Sequence, residues 1–74
     1  MKPLDIFTEY DYDAEVWVAI SDDVPGLITE AETIELLVNR LKIMIPELME
    51  LNCGLTGSFS FRVIVEQTTW AEAA

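Results

Sequence analysis

The stretch VWVAISDDVPGLITEAETIELL, residues 16–37, decides the fold because it holds a strand, a turn, a second strand and a helix start. Its first five residues, Val16–Ile20, are of β-favouring types. Pro25 presets φ for the second position of a turn, and Gly26 supplies the positive φ that a type II turn needs at its third position. The chain is therefore predicted to reverse here and to continue as a short strand over residues 27–31.

A helix is predicted to begin at about Ile34, because Thr33 suits an N-cap and Glu35 places an acid near the positive end of the helix dipole. Apolar residues then recur at helical spacing and predict one stripe packed on a sheet: Ile34, Leu37, Leu41, Met44, Leu48 and Leu51. Pro46 lacks the N–H of an interior helical residue, so we expect a kink or a restart, with a break near Ile45.

The apolar arc of this helix is wider than one sheet face needs, because further apolar residues lie off the stripe: Leu36, Val38, Ile43, Ile45 and Met49. Part of the arc is therefore expected to meet a second subunit. Leu36 and Ile43, together with the tryptophans Trp17 and Trp70, are the candidate residues of an oligomer interface.

Both flanks of the central stretch predict strands. Residues 4–13 alternate with a period of two and have one wetter face, which predicts a hairpin with Val16–Ile20. Residues 52–57 have the composition of a helix C-cap and turn. Residues 58–67 give the clearest strand pattern, in which two sets alternate: Phe59, Phe61, Val63 and Val65 against Ser60, Arg62, Ile64 and Glu66.

The resulting order is β-β-β-α-β, and a right-handed crossover places the last strand parallel to the first and beside it. We therefore predict an α+β fold, a two-layer sandwich with sheet order 3-2-1-4 and the helix on one face. The other face of the sheet needs a cover, which dimerisation would supply. Residues 1–67 form the single predicted domain; residues 68–74 are a tail whose Trp70 either docks on a neighbour or is loose.

Composition limits the function. The 74 residues are 51% hydrophobic and 24% charged, which suits one small domain that gains stability by oligomerising, as a homodimer or tetramer. The net charge of −10 opposes binding to nucleic acid or anionic membranes and favours a basic protein partner, although acidity also serves solubility alone. The sequence has no signal peptide or membrane-spanning run, so the cytoplasm is the expected location.

No catalytic, metal or cofactor site is predicted. The chain has no histidine, and its one cysteine, Cys53, follows a helix rather than preceding one, which disfavours the thiolate. The acids from Asp11 onwards resemble the opening of a calcium loop, but Val16 stands where such a loop has glycine and Asp22 where it has glutamate. The acidic segment is therefore interpreted as a solvated turn, and we expect no enzyme.

The middle of the chain contains YDAEVWVA at 12–19, DVPGL at 23–27, TEA at 29–31 and the helix-opening Thr33. In these residues it resembles the N-terminal domain of HicB-type antitoxins. The resemblance extends over residues 4–67 in element order, and its specific part is about residues 12–37.

This resemblance implies a degraded ribonuclease-H-like fold without that fold's catalytic acids. It also implies neutralisation of a small, basic, messenger-RNA-cleaving HicA-type toxin by a dimeric or tetrameric antitoxin. Full-length members of the family carry a DNA-binding segment after this domain, whereas this sequence stops at Ala74, so operator binding is not carried over.

Two hypotheses follow. In the first, the chain is a non-catalytic, antitoxin-like interaction domain that binds a basic partner through the open sheet and the acidic turn formed by Asp22, Asp23, Val24, Pro25, Gly26 and Leu27. In the second, it is a stand-alone homo-oligomer with a structural or small-ligand-sensing role, whose apolar surfaces meet their own copies.

Overall fold

A computed structural model describes residues 2–74 of the chain, so that Met1 of the predicted domain lies outside the described residues. The elements are β1 (Leu4–Asp11), β2 (Val16–Ile20), β3 (Ile28–Ala31), α1 (Ile34–Cys53) and β4 (Phe61–Glu66). They form a mixed sheet in the order β3-β2-β1-β4, in which β4 runs parallel to β1 and the other neighbours are antiparallel. The predicted α+β architecture and the sheet order 3-2-1-4 are confirmed.

The turn between β1 and β2 is held by the side chain of Asp11. Its Oδ1 atom accepts hydrogen bonds from the backbone N–H groups of Asp13, at 3.0 Å, and Ala14, at 3.1 Å. Glu15 completes the turn with a φ of 57°, in the left-handed region. Because these local bonds begin at Asp11, β1 ends there and not at Asp13 as the alternation predicted.

The Pro-Gly turn forms as predicted and is attached to the end of the helix. The N–H of Leu27 donates to the carbonyl of Val24 at 3.1 Å, and Gly26 has a φ of 83°. Asn52 Nδ2 donates to the carbonyl of Pro25 at 2.8 Å. The turn therefore closes the end of the core at which α1 finishes.

Helix α1 begins where the sequence predicts and continues beyond the predicted break. Thr33 is the N-cap, and its hydroxyl accepts from the N–H of Leu36 at 3.1 Å. The predicted break near Ile45 is wrong, because α1 is continuous through Pro46 to Cys53. Pro46 has no N–H to donate to the carbonyl of Lys42, four residues earlier. Both residues are exposed, so water can donate to that carbonyl instead.

The buried stripe of α1 differs from the predicted one. The buried helical residues are Leu37, Leu41, Ile45 and Met49, whereas the side chain of Leu51 is 78% exposed. These four residues recur at intervals of four and form a row inclined to the helix axis. The helix packs on β3 and β2 along this row, so the stripe drifts around the helix towards Ile45 and Met49.

The core lies between α1 and one face of the sheet, and its sheet side includes Ile6, Ala19 and Ala31. Thr8 is also buried on this face, and its Oγ1 atom has no hydrogen-bond partner among residues 2–74. We call this the covered face of the sheet. Side chains that alternate with these residues point to the opposite side, which we call the open face.

Candidate protein-binding surface

Four large apolar side chains lie side by side across the open face. Strand register places Ile64 beside Phe7, Phe7 beside Ile20, and Ile20 beside Ile28. Their exposure ranges from 37% at Ile64 to 69% at Ile28. We call these four residues the apolar row. Because it reaches from one edge of the sheet to the other, it is a contiguous patch and not a set of isolated exposed side chains.

A second row on the same face is acidic. Register places Glu66 beside Glu9, Glu9 beside Val18, and Val18 beside Glu30. This acidic row lies two residues along each strand from the apolar row, a separation of roughly 6.5 Å. Glu9 and Glu66 are like charges on neighbouring strands, an arrangement that disfavours the isolated fold.

The other flank of the apolar row carries an ion pair. The Arg62 guanidinium donates to both carboxylate oxygens of Asp5, with a distance of 3.2 Å between Nη2 and Oδ2. The hydrogen bond from Arg62 holds the pKa of Asp5 below its usual value, and the same bond raises the pKa of Arg62. Arg62 is therefore the basic group nearest to the apolar row within the described sheet.

The depression above the two rows is small. It has a volume of about 190 Å³, and its lining includes Phe7, Ile20 and Ile64 as well as Glu9 and Glu66. Sites for drug-sized ligands typically enclose roughly 300–1,000 Å³. The depression on the open face is therefore smaller than a typical site for a drug-sized ligand.

The predicted partner-binding turn is divided between surface and core. Asp22, Asp23, Pro25 and Gly26 are exposed, whereas Val24 and Leu27 are buried in the core. Asp23 Oδ2 accepts from the backbone N–H of Asp5 at 2.8 Å, so the turn sits beside the Asp5–Arg62 flank of the open face. The side chains of Val24 and Leu27 hold the turn and are not offered to a partner.

The residues predicted for an oligomer interface lie on three different elements. Leu36 and Ile43 are exposed on α1, and Trp70 is 92% exposed in the tail. Trp17 is half-buried on the covered face, where its ring meets that of Tyr10 edge to face at 5.0 Å. Because they are spread over β2, α1 and the tail, they do not form one contiguous patch, unlike the apolar row.

The predictions from the sequence did not include the apolar row. The sequence does contain a signal for this row. In each of two strands, one large apolar residue, Phe7 or Ile64, lies among polar residues on the wetter side of the alternation. Strand register, which a single sequence does not provide, is what places these two residues together.

Other kinds of site find little support in the described chain. Within residues 2–74, no group of three or more His, Cys, Asp or Glu side chains is placed to hold a metal ion. Nor does that part of the chain contain a helix long and apolar enough to cross a membrane. Cys53 is exposed at the end of α1.

Fold and surface together define a small two-layer α+β domain with one sheet face uncovered. The chain belongs to the family described as domain of unknown function (DUF1902), whose model matches residues 4–71. It is also similar to the crystal structure of a hypothetical protein from the extremely thermophilic bacterium Thermus thermophilus. That similarity has 42% sequence identity and a TM-score of 0.73, and covers 97% of this chain and 100% of the other.

The search of curated proteins finds no match. Neither the family description nor the neighbouring structure mentions HicB-type antitoxins, so that resemblance stays a prediction.

Proposed function

We propose that this chain is a non-catalytic protein-interaction domain of the cytoplasm, and that its open face binds a basic polypeptide. The observation that carries the proposal is the pairing of the apolar row with the acidic row beside it. Such a surface fits a partner segment with apolar side chains along one line and lysines or arginines along the next.

The apolar row supplies the affinity in this proposal. Half-exposed Phe7 and Ile20 lose their remaining contact with water when a partner covers them, which contributes roughly 25 cal/mol for each Å² buried. Well-packed, desolvated side chains near the centre of an interface carry most of its binding energy.

The acidic row supplies selectivity. Glu9 and Glu66 repel one another in the isolated chain, and a cationic side chain placed between them relieves that repulsion. The net charge of −10 also attracts a basic chain over a longer range and accelerates its encounter. The implied partner matches the small, basic, HicA-type toxin that the resemblance to HicB-type antitoxins suggests.

The test begins with the tagged chain isolated from its own host at low salt, followed by identification of any chain bound to it. That chain is then purified and titrated against this protein by calorimetry at roughly 50 and 300 mM salt. We expect a basic chain that binds more weakly at the higher salt concentration, because salt screens the attraction between the two charged chains. An acidic partner, or none at any salt concentration, contradicts the proposal.

Two isoleucines provide a matched pair of variants. Ile28 on the open face and Ile43 on α1 are 69% and 65% exposed. Ile28→Ser is expected to weaken binding by roughly tenfold, because it shortens the apolar row, whereas Ile43→Ser leaves binding unchanged. If Ile43→Ser is the variant that loses the partner, the binding surface is the helix and not the sheet.

A further inference from the structure

The two edges of the sheet differ in how they are protected. At the β3 edge, the strand is only four residues long, and the guanidinium of Arg40 on α1 donates to the carbonyl of Glu30. At the β4 edge, the strand has six residues, and neither the strand nor the following residues 67–74 contain a proline, a lysine or a glycine. Proline, lysine and short length are common defences against edge-to-edge pairing, so β4 is the unprotected edge.

The backbone of β4 has free hydrogen-bonding groups on its outer side. The carbonyl of Ser60 accepts from the N–H of Leu4 at 2.9 Å, so Ser60 directs its backbone groups towards β1. Successive residues of a strand direct these groups to opposite sides, so Phe61, Val63 and Val65 direct theirs away from the sheet. A second strand can pair there without disturbing the β1–β4 ladder.

We propose that the β4 edge binds a second copy of this chain, antiparallel, with the two-fold axis at Ile64. In this register, Val63 of one copy exchanges hydrogen bonds with Val65 of the other, and both residues belong to the outward-facing set. Ile64 lies opposite Ile64 of the second copy. The inference concerns self-association and does not rest on the basic partner proposed above, although both proposals use Glu66.

Charge selects this register. Arg62 lies opposite Glu66 of the second copy in a non-hydrogen-bonded pair, where side chains approach most closely. Each dimer contains this pair twice. A shift of two residues in either direction keeps the backbone pairing but places Glu66 opposite Ile64 or Ser60, so the charge pairing is lost.

Apolar contacts select the same register on both faces. On the open face, the apolar row of one copy meets that of the second at Ile64, so the two rows become one continuous line. On the covered face, Val65, which is 46% exposed because it lies beyond the helix, packs beside Val63 of the second copy. Pairing at the edge therefore covers part of the exposed apolar surface and leaves most of the open face free.

The experiment measures the mass of the full chain by sedimentation equilibrium over a range of concentrations. We expect a concentration-dependent dimer. Val65→Pro removes an outward N–H, and Pro is tolerated at such edge positions, so the variant is expected to fold and to be monomeric. Glu30→Pro, at the other edge, is the matched control and is expected to remain dimeric.

If Val65→Pro fails to fold, a second variant, Glu66→Arg, tests the same interface without changing the backbone. It removes the repulsion with Glu9 inside one copy and places Arg62 opposite another arginine across the dimer. The monomer is thus expected to melt at a higher temperature while the dimer dissociation constant rises roughly tenfold.

A wild-type chain that stays monomeric at millimolar concentration overturns the inference. So does a folded Val65→Pro chain that is still a dimer, or a Glu66→Arg dimer as tight as the wild type. Ile28→Ser distinguishes this inference from the proposed function, because it is expected to weaken partner binding and to leave the dimer intact.

Discussion

The two faces of the sheet are built from the same strands and differ in how far their apolar side chains are buried. On the covered face, Ile6 and Ala19 are fully buried beneath α1, and their apolar character follows from the need for a core. On the open face, Phe7 and Ile20 are about half exposed, and folding of this chain alone does not need them. Apolar side chains that folding does not require indicate binding, which is why the open face carries the functional proposal.

Neighbouring residues of β1 show the contrast in its sharpest form. Phe7 places an aromatic ring on the wet side of the strand, and Thr8 places a hydroxyl without a partner, among residues 2–74, on the dry side. Phe7 is apolar on a face where the other residues of β1 are acidic, and Thr8 is polar on a face that is otherwise a hydrophobic core. The exception on the covered face lowers stability, and the exception on the open face is part of the surface that we propose binds a partner.

The largest expected effect tests whether side chains on the two faces contribute differently to the unfolding free energy. Ile6→Thr on the covered face puts a hydroxyl into the core and removes a methyl group, and is expected to cost about 2–4 kcal/mol of unfolding free energy. Ile20→Thr on the open face is expected to stay within about 0.5 kcal/mol, because its side chain is already in contact with water. Urea denaturation of both variants measures the difference; equal losses would remove the distinction between the faces.

A smaller effect of opposite sign is expected at Thr8. Thr8→Val keeps the shape of the side chain and removes the unpartnered hydroxyl, so it is expected to stabilise the chain by about 1 kcal/mol. Thr8→Ser serves as the control, since it keeps the hydroxyl, loses the methyl group and is expected to destabilise. Thermal unfolding of the two variants checks the sign, and a destabilised Thr8→Val chain would mean that the hydroxyl is satisfied in solution.

The smallest expected effect is at the charged flank of the open face. The pKa of Asp5 is lowered mainly by the hydrogen bond from Arg62 and least by the charge of Lys2. A folded-state pKa below the unfolded value gives stability that is present above the unfolded pKa and lost as pH falls through the folded pKa. Acidification below about pH 4 is therefore expected to remove this contribution.

An NMR titration of the Asp5 carboxyl group measures this pKa directly. Arg62→Gln is expected to raise the pKa of Asp5 towards 3.8, whereas Lys2→Gln is expected to raise it less. If both variants move the pKa equally, the ion pair at the edge of the open face is not formed in solution.

Most of the fold could be predicted from the sequence because its signals are local. The Pro-Gly turn, the Thr33 cap and the alternation in β4 each depend on residues within a few positions of one another. The predicted break at Pro46 failed because the burial of Ile45 and Met49 on α1 outweighs the loss of one backbone hydrogen bond at an exposed position.

The candidate surface could not be predicted in the same way. Its apolar row takes one residue from each of four strands, and only the registers between those strands bring them together. The sequence predicts partner binding at the open sheet and at the acidic turn, whose acids are evident from composition, but it does not show which residues of the sheet lie together. It also predicts an oligomer interface that includes the helix, because the width of the apolar arc can be read from spacing alone.

The pairing of β1 with β4 also governs how the chain reaches its native state. Arg62 and Asp5 are 57 positions apart, so the first strand gains its second neighbour only after the hairpin, the third strand and the helix have been synthesised. The hairpin, the third strand and the helix connect over short distances and can assemble earlier, whereas closing this long loop costs more entropy and slows folding. Docking of β4 is therefore expected to be a late step, and a nascent chain waiting for it presents the bare side of β1 to chaperones and to other chains.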